Sequence, residues 1–388
     1  MTTFNAPLPR TTRRLRQLVL PLALAALPGL ALAQDNDKIF TVGGFGTLGV
    51  NTSSFDNGDF VVNPFQPTGA GTRKQWSATT DTLAAMQVDA KLDEHWSGVV
   101  QVVSSMTAEN SFEPHIEWAN IKYAFSPDLS VRLGRIALPS FLVSDTRLVG
   151  YANTWARAPQ ETYSLYGLTN SDGIDGKWSQ SFGGFRNTVQ AWFGRANGIK
   201  ASSADGTTTP EFSMRKMRGI SDTIEKGALT VRASAHISQL VFDLPASYGT
   251  DLLIGYKNYS LGAIYDPGTW FVQGEVALLK RWITAPLLGM SPTSERALNA
   301  IGGYRYQAFT PYVSYSRVGK ATPALGASRA QRTSALGVRW DFYKNMDLKL
   351  QLEHVVLGPQ STGFFVNVKP GLAGSSGNIA TLAVDFIY

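Results

Sequence analysis

Leu229-Thr230-Val231-Arg232-Ala233-Ser234-Ala235-His236-Ile237-Ser238 places an apolar residue at every odd position and a polar one at every even position. Successive side chains of a strand point to opposite faces, so this stretch predicts a strand between an apolar medium and a polar one. The same period returns where Leu348, Leu350 and Leu352 alternate with Lys349, Gln351 and Glu353. At the end of the chain Leu382, Val384, Phe386 and Tyr388 share one face, with Thr381, Ala383 and Asp385 on the other. Stripes of period 3.6 are scarce, so the chain reads as all-β.

Working outward from these segments, sixteen strands are expected near 38–50, 77–92, 96–106, 115–126, 129–137, 172–182, 186–196, 214–224, 228–240, 252–265, 269–282, 295–308, 311–319, 332–343, 346–357 and 378–388. Their connections alternate in length. Short ones such as Asp93-Glu94-His95, Gly183-Gly184-Phe185 and Asp266-Pro267-Gly268 carry turn residues, whereas 51–76, 138–171, 197–213 and 358–377 are long. A soluble sandwich has no reason to keep its long loops at one end. A transmembrane antiparallel β-barrel does, because its strands alternate direction between tight periplasmic turns and long outer loops. Aromatics beside the short turns, among them Trp96, Tyr123, Phe125, Tyr265, Trp270, Phe342 and Tyr343, fit an interfacial girdle.

The ends and the composition agree with that reading. Residues 1–33 run from a basic stretch (Arg10, Arg13, Arg14, Arg16) through an apolar run from Leu18 to Leu27 to Ala31-Leu32-Ala33. This predicts a signal peptide cleaved near Ala33, leaving 34–388 as the barrel. Those four arginines supply most of the net charge of +6, and the remaining chain holds 31 basic against 29 acidic groups. No concentrated basic footprint remains to suggest a nucleic-acid partner. The chain has no Cys, which excludes a disulfide scaffold and a Cys-ligated metal. No cofactor or metal is expected.

Several segments resemble the sixteen-stranded porins of the Gram-negative outer membrane. The final Leu382-Ala383-Val384-Asp385-Phe386-Ile387-Tyr388 is similar to that family's C-terminal assembly signal, with Phe386 and Tyr388 as its aromatics. Val42 to Gly49 resembles an opening strand, Val131-Arg132-Leu133-Gly134-Arg135 the approach to a third external loop, and Tyr265 to Glu275 a periplasmic turn. The resemblance implies a bacterial outer-membrane location and a homotrimer. It also implies assembly by the outer-membrane insertion machinery, contact with outer-membrane lipid and lipopolysaccharide, and an inward-folded third loop.

That loop is expected at 138–171, a segment unusually apolar for an exposed connection. Asp145, Arg147, Arg157 and Glu161 are the candidates for a pore constriction, where opposed charges would filter small hydrophilic solutes. Pairing of Asp145 with Arg147, or of Arg157 with Glu161, would equally serve to hold the loop. Lys122, Arg132, Arg232, Glu275, Lys349 and Glu353 occupy polar-face positions on the wall, where solvation by the lumen is the simplest role. Arg135 shares parity with apolar Val131 and Leu133 and requires a bulge or a strand end.

The expected function is a water-filled channel for passive diffusion. Two alternatives remain: a saturable channel for one nutrient class, using Tyr151, Trp155, Tyr163 and Tyr166 as stacking surfaces, and a non-conducting structural or adhesive protein. An enzyme is not expected, because no nucleophile signature accompanies His95, His115, His236 or His354. Gly44-Phe45-Gly46-Thr47-Leu48-Gly49 matches G-x-G-x-x-G, but no amphipathic helix follows it. Close packing in a strand is the better use of those glycines.

Overall fold

A computed structural model describes residues 39–242, 252–283, 292–322 and 328–388. The expected signal peptide lies outside the described residues. Seventeen strand segments follow: β1 (Phe40–Ser53), β2 (Trp76–Ser77), β3 (Leu83–Lys91), β4 (Trp96–Ser105), β5 (His115–Ala124), β6 (Leu129–Ala137), β7 (Asn170–Phe182), β8 (Phe185–Ile199), β9 (Phe212–Lys226), β10 (Leu229–Phe242), β11 (Leu252–Tyr265), β12 (Trp270–Ile283), β13 (Thr293–Tyr304), β14 (Phe309–Val318), β15 (Gln331–Tyr343), β16 (Met346–Leu357) and β17 (Ser376–Ile387). β2 and β3 both pair with the same edge of β1, so the segments make sixteen staves. The other edge of β1 pairs antiparallel with β17, from Phe45 opposite Ile387 to Ser53 opposite Ile379. The sheet is thereby closed and leaves no edge.

The boundaries differ from expectation in instructive places. The second stave is interrupted at Ala78–Thr82, where Thr82 Oγ1 donates to Ala78 O and Asp81 meets Arg157. β13 ends at Tyr304 because Arg305 turns to ion-pair with Asp266 of the neighbouring turn at 2.6 Å. Positive φ at Gly183, Gly184 and Gly227 supplies the geometry of two tight turns. Gly134 also has positive φ, at 128°, and a Cβ there would press on Asn120. Arg135 itself takes a place opposite Asp172 on β7 and ion-pairs with it at 2.6 Å.

The outer face carries large apolar side chains that stand exposed among the described residues. Leu133 is 65% exposed, Leu336 63%, Val313 56% and Leu352 53%. Such a belt is stable against hydrocarbon and not against water. Outward positions of β16, β17, β1, β3 and β4 hold no Asp, Glu, Lys or Arg.

The inner face behaves differently along its length. Toward the short turns, inward residues such as Asp89, Lys122, Arg186, Glu225 and Asp341 are exposed, forming a wet vestibule of mixed charge. Nearer the long connections the wall from β8 to β14 is dry. Trp192, Met214, Met217, Leu240, Leu279 and Val318 pack there against Ile136, Leu138, Phe141, Tyr163, Leu165 and Tyr166. A second apolar cluster joins Phe55, Phe60, Phe365 and Leu372 of the long connections to Val355, Leu357 and Ile379. The interior is therefore not uniformly polar, which differs from a simple alternation of apolar outside and wet inside.

Candidate channel constriction

The connection from Leu138 to Thr169 contains two short 3₁₀ turns (Ser144–Thr146 and Gly150–Ala152) and one helical turn, α1 (Gln160–Tyr163). Its bonds go to inward side chains of eight successive staves, β10 to β17. On the first of these, Ser234 and, on β11, Ser260 donate to Ser140 O at 2.7 and 2.9 Å. Arg232 donates to Phe141 O and Leu142 O, and Glu275 accepts from Leu142 N at 2.9 Å. Further round, Asn299 donates to Thr162 Oγ1 at 3.0 Å.

β16 presents a comb at every second residue. Lys349 Nζ donates to Gly150 O at 2.7 Å, Gln351 Oε1 accepts from Ala156 N at 3.1 Å, and Glu353 ion-pairs with Arg157. Lys349 is also 2.8 Å from Asp385, which accepts from Thr47 across the closing seam. Arg339 of β15 donates to Tyr151 O and Asn153 O. The period of two that builds the strand thus spaces the teeth that grip the segment.

Of the four constriction candidates, none pairs as the sequence suggested. Asp145 ion-pairs with Arg232 at 3.1 Å, not with Arg147. Arg157 is buried between Asp81, at 2.8 Å, and Glu353, and also donates to Thr381. Burial alone would lower its pKa, but the fields of the two carboxylates outweigh that and hold the guanidinium charged. Glu161 is 2% exposed and accepts from Ser316, Gln331 and Thr333. It is thus turned into the wall, away from Arg157. Arg147 has no ion-pair partner among the described residues and lies 5.6 Å from the centroid of the Tyr163 ring.

The six wall candidates divide likewise. Arg232, Glu275, Lys349 and Glu353 grip the segment, and Lys349 is fully buried, so lumen solvation does not describe them. Arg132 pairs with Asp175 at 2.5 Å, and Lys122 stays exposed in the vestibule. Trp155, Tyr163 and Tyr166 are 5%, 1% and 3% exposed, and Tyr151 lies under Arg339, so these aromatics are packing groups and not free stacking surfaces.

A cavity of about 500 Å³ remains between the segment and the wall from β1 to β8. Arg147, Arg157, Ala158 and Gly167 line it on one side, and Thr47, Ser105, His115 and Glu117 on the other. Glu117 accepts from Asn170 at 3.0 Å and has His115 at 3.6 Å. Asp81, the gripping glutamine Gln351 and the dry wall were not anticipated from sequence. A signal for the dry wall exists: Val276-Ala277-Leu278-Leu279 breaks the alternation with four apolar residues, which requires both faces of β12 to be dry there.

No family model matches the chain, and no curated protein matches it in sequence. Solved structures do. OmpT of Vibrio cholerae in its trimer form aligns at TM-score 0.57 and 12% identity, covering 90% of this chain and 100% of that one. An anion-selective porin from Comamonas acidovorans aligns at 0.56 and 14%, covering 90% and 99%. Salmonella typhi OmpF, in complex with daunomycin, aligns at 0.55 and 15%, covering 90% and 97%. With its sixteen antiparallel staves closed between β17 and β1, this chain has the fold of the bacterial outer-membrane porins.

Proposed function

We propose that this protein is an outer-membrane channel for passive diffusion of small hydrophilic solutes and ions. The observation that carries the reading is the cavity left between segment 138–169 and the β1 to β8 wall, with Arg147, Arg157 and Glu117 among its lining residues. Solutes would enter among the long connections, pass Arg147 opposite Glu117, and leave through the vestibule. Because the β8 to β14 side of the barrel is filled by the segment, through apolar packing and hydrogen bonds to the wall, the path is a narrow crescent and not the full barrel bore. Mixed charge in the vestibule favours no strong ionic preference.

The chain would reach the outer membrane through its N-terminal signal peptide and the insertion machinery, with Phe386 and Tyr388 as the assembly signal. The charge-free outer face from β16 to β4 suits contact with further copies in a homotrimer, the assembly described for the Vibrio cholerae protein of similar fold. A channel with a saturable site is less well supported, because the aromatics it would use are buried. An enzyme is disfavoured: among the described residues no histidine bonds a Ser or Thr hydroxyl, His354 bonds Asn378, and His95 sits in a turn. Liposome swelling tests the reading. Flux linear in solute concentration and falling steeply with solute size is expected, saturation would favour the selective channel, and no flux would leave a structural protein.

A further inference from the structure

One strand in the wall of the cavity carries a bulge. The pairing of β4 with β5 passes from Val102 opposite Ile116 to Gln101 opposite Trp118, which leaves Glu117 as the extra residue. A bulge re-aims the side chain it carries. Here Glu117 lines the cavity while only 3% exposed. Asn170 Nδ2 donates to its Oε2 at 3.0 Å, and His115 Nε2 lies 3.6 Å from the same oxygen. That imidazole is the one ionic neighbour of the carboxylate within 4 Å among the described residues, and it is itself 44% exposed to the cavity side.

Most other charges around His115 are matched. Glu109 pairs with Lys200 at 2.5 Å, Arg135 of β6 with Asp172 of β7 at 2.6 Å, and Arg157 with Asp81 at 2.8 Å. Glu113, two residues before His115, and Glu211 of a long connection are exposed carboxylates, and the residue facing His115 on β4 is Val103. From segment 138–169 comes Arg147, which lines the same cavity without an ion-pair partner among the described residues. Ordinary carboxylates, guanidinium and ammonium groups hold their charge between about pH 5 and 8, whereas imidazole changes its charge there. The other three histidines stand elsewhere: His95 bonds Ala124 O in a turn, His236 is buried under Tyr166, and His354 bonds Asn378.

We propose that His115 sets the ionic preference of this path by taking up a proton beside Glu117. The proposal rests on the channel reading. With His115 neutral, the Glu117 carboxylate offsets Arg147 across the cavity. With His115 protonated, Glu117 is matched by its own neighbour and Arg147 is left as the surplus cation, so the path turns toward anions. The bulge and the bond from Asn170 position the carboxylate for this exchange, and His115 is the specificity-determining group.

The test is the reversal potential of the purified protein in planar bilayers, under a gradient of dilute potassium chloride so that screening stays low, at about pH 8 and about pH 5. A unit charge about 6 Å from a monovalent ion in water changes its local concentration about threefold. Wild type is therefore expected to move toward anions by about threefold in permeability ratio on acidification. His115→Gln is expected to hold one preference at both pH values, and Glu117→Gln to prefer anions at both. A wild type whose preference does not move, a His115→Gln protein that moves as wild type does, or a Glu117→Gln protein that favours cations would each overturn the proposal. Current at about pH 8 separates it from the channel reading. A protein that conducts with a fixed preference loses only the role of His115, whereas one that passes no current at either pH overturns the channel and this proposal with it.

Discussion

The ring of Phe386 lies over Gly46, occupying the space that a Cβ there would need, and the ring of Tyr388 does the same at Gly44. The two residues face each other across the closing seam, and Tyr388 Oη donates to Ala85 O at 3.2 Å. The first two glycines of the G-x-G-x-x-G pattern thus admit the aromatics at the C-terminus, whereas Gly49 lies against Asp81. Gly46→Val is expected to overpack this contact and cost about 1–3 kcal/mol. Urea unfolding followed by the gel shift of the folded barrel would check it, and an unchanged midpoint would remove the seam role.

Among the described residues Arg157 is the only cation that ion-pairs with Asp81 and Glu353, both buried with it. Arg157→Ala would strand two carboxylates, an effect of about 3–5 kcal/mol for a broken buried pair. The expected outcome is lower thermal stability together with noisier single-channel current as segment 138–169 loosens. A variant as stable and as quiet as wild type would show that the segment is held elsewhere.

At the turn end, hydrogen bonds from Arg305 hold the Asp266 carboxyl below its ordinary pKa. A depressed carboxylate contributes stability that is present above its unfolded value of about 3.9 and is lost as pH falls through the folded value. Both partners are about a third exposed, so the pair is worth at most about 1 kcal/mol. Asp266→Asn should therefore unfold slightly more easily than wild type at pH 7, with the difference vanishing as pH falls through the folded value. A difference that persists in acid would assign the effect to something other than the charge.

The chain has no cysteine, so single thiols report orientation cleanly. Ala204→Cys sits exposed in a long connection and Lys344→Cys exposed in a short turn. On intact cells a membrane-impermeant maleimide is expected to label the first and spare the second. The reverse pattern would invert the barrel.

How far the sequence carried the fold follows from what each signal depends on. Alternation at Leu229–Ser238 or Leu348–Glu353 is local, and it located strands and their faces correctly. The C-terminal aromatics were legible for the same reason. The pairings of Arg157 with Asp81, 76 residues away, and of Glu161 with Ser316, 155 away, are set by how the segment crosses the barrel. No local pattern encodes that crossing, and proximity in sequence suggested Arg157 with Glu161 instead. Lys349 and Glu353 read as solvated because polar parity alone cannot distinguish water from a loop backbone.

The most direct test of the channel account is single-channel recording in planar bilayers on Arg147→Cys before and after attachment of a bulky thiol reagent. Arg147 lines the cavity, and Leu165, in the dry packing behind it, serves as the control position. The account expects modification at position 147 to remove most of the conductance, while Leu165→Cys stays unreactive and conducts as before. Conductance untouched by a reagent bound at position 147 would contradict it, because ions would then be crossing by another path.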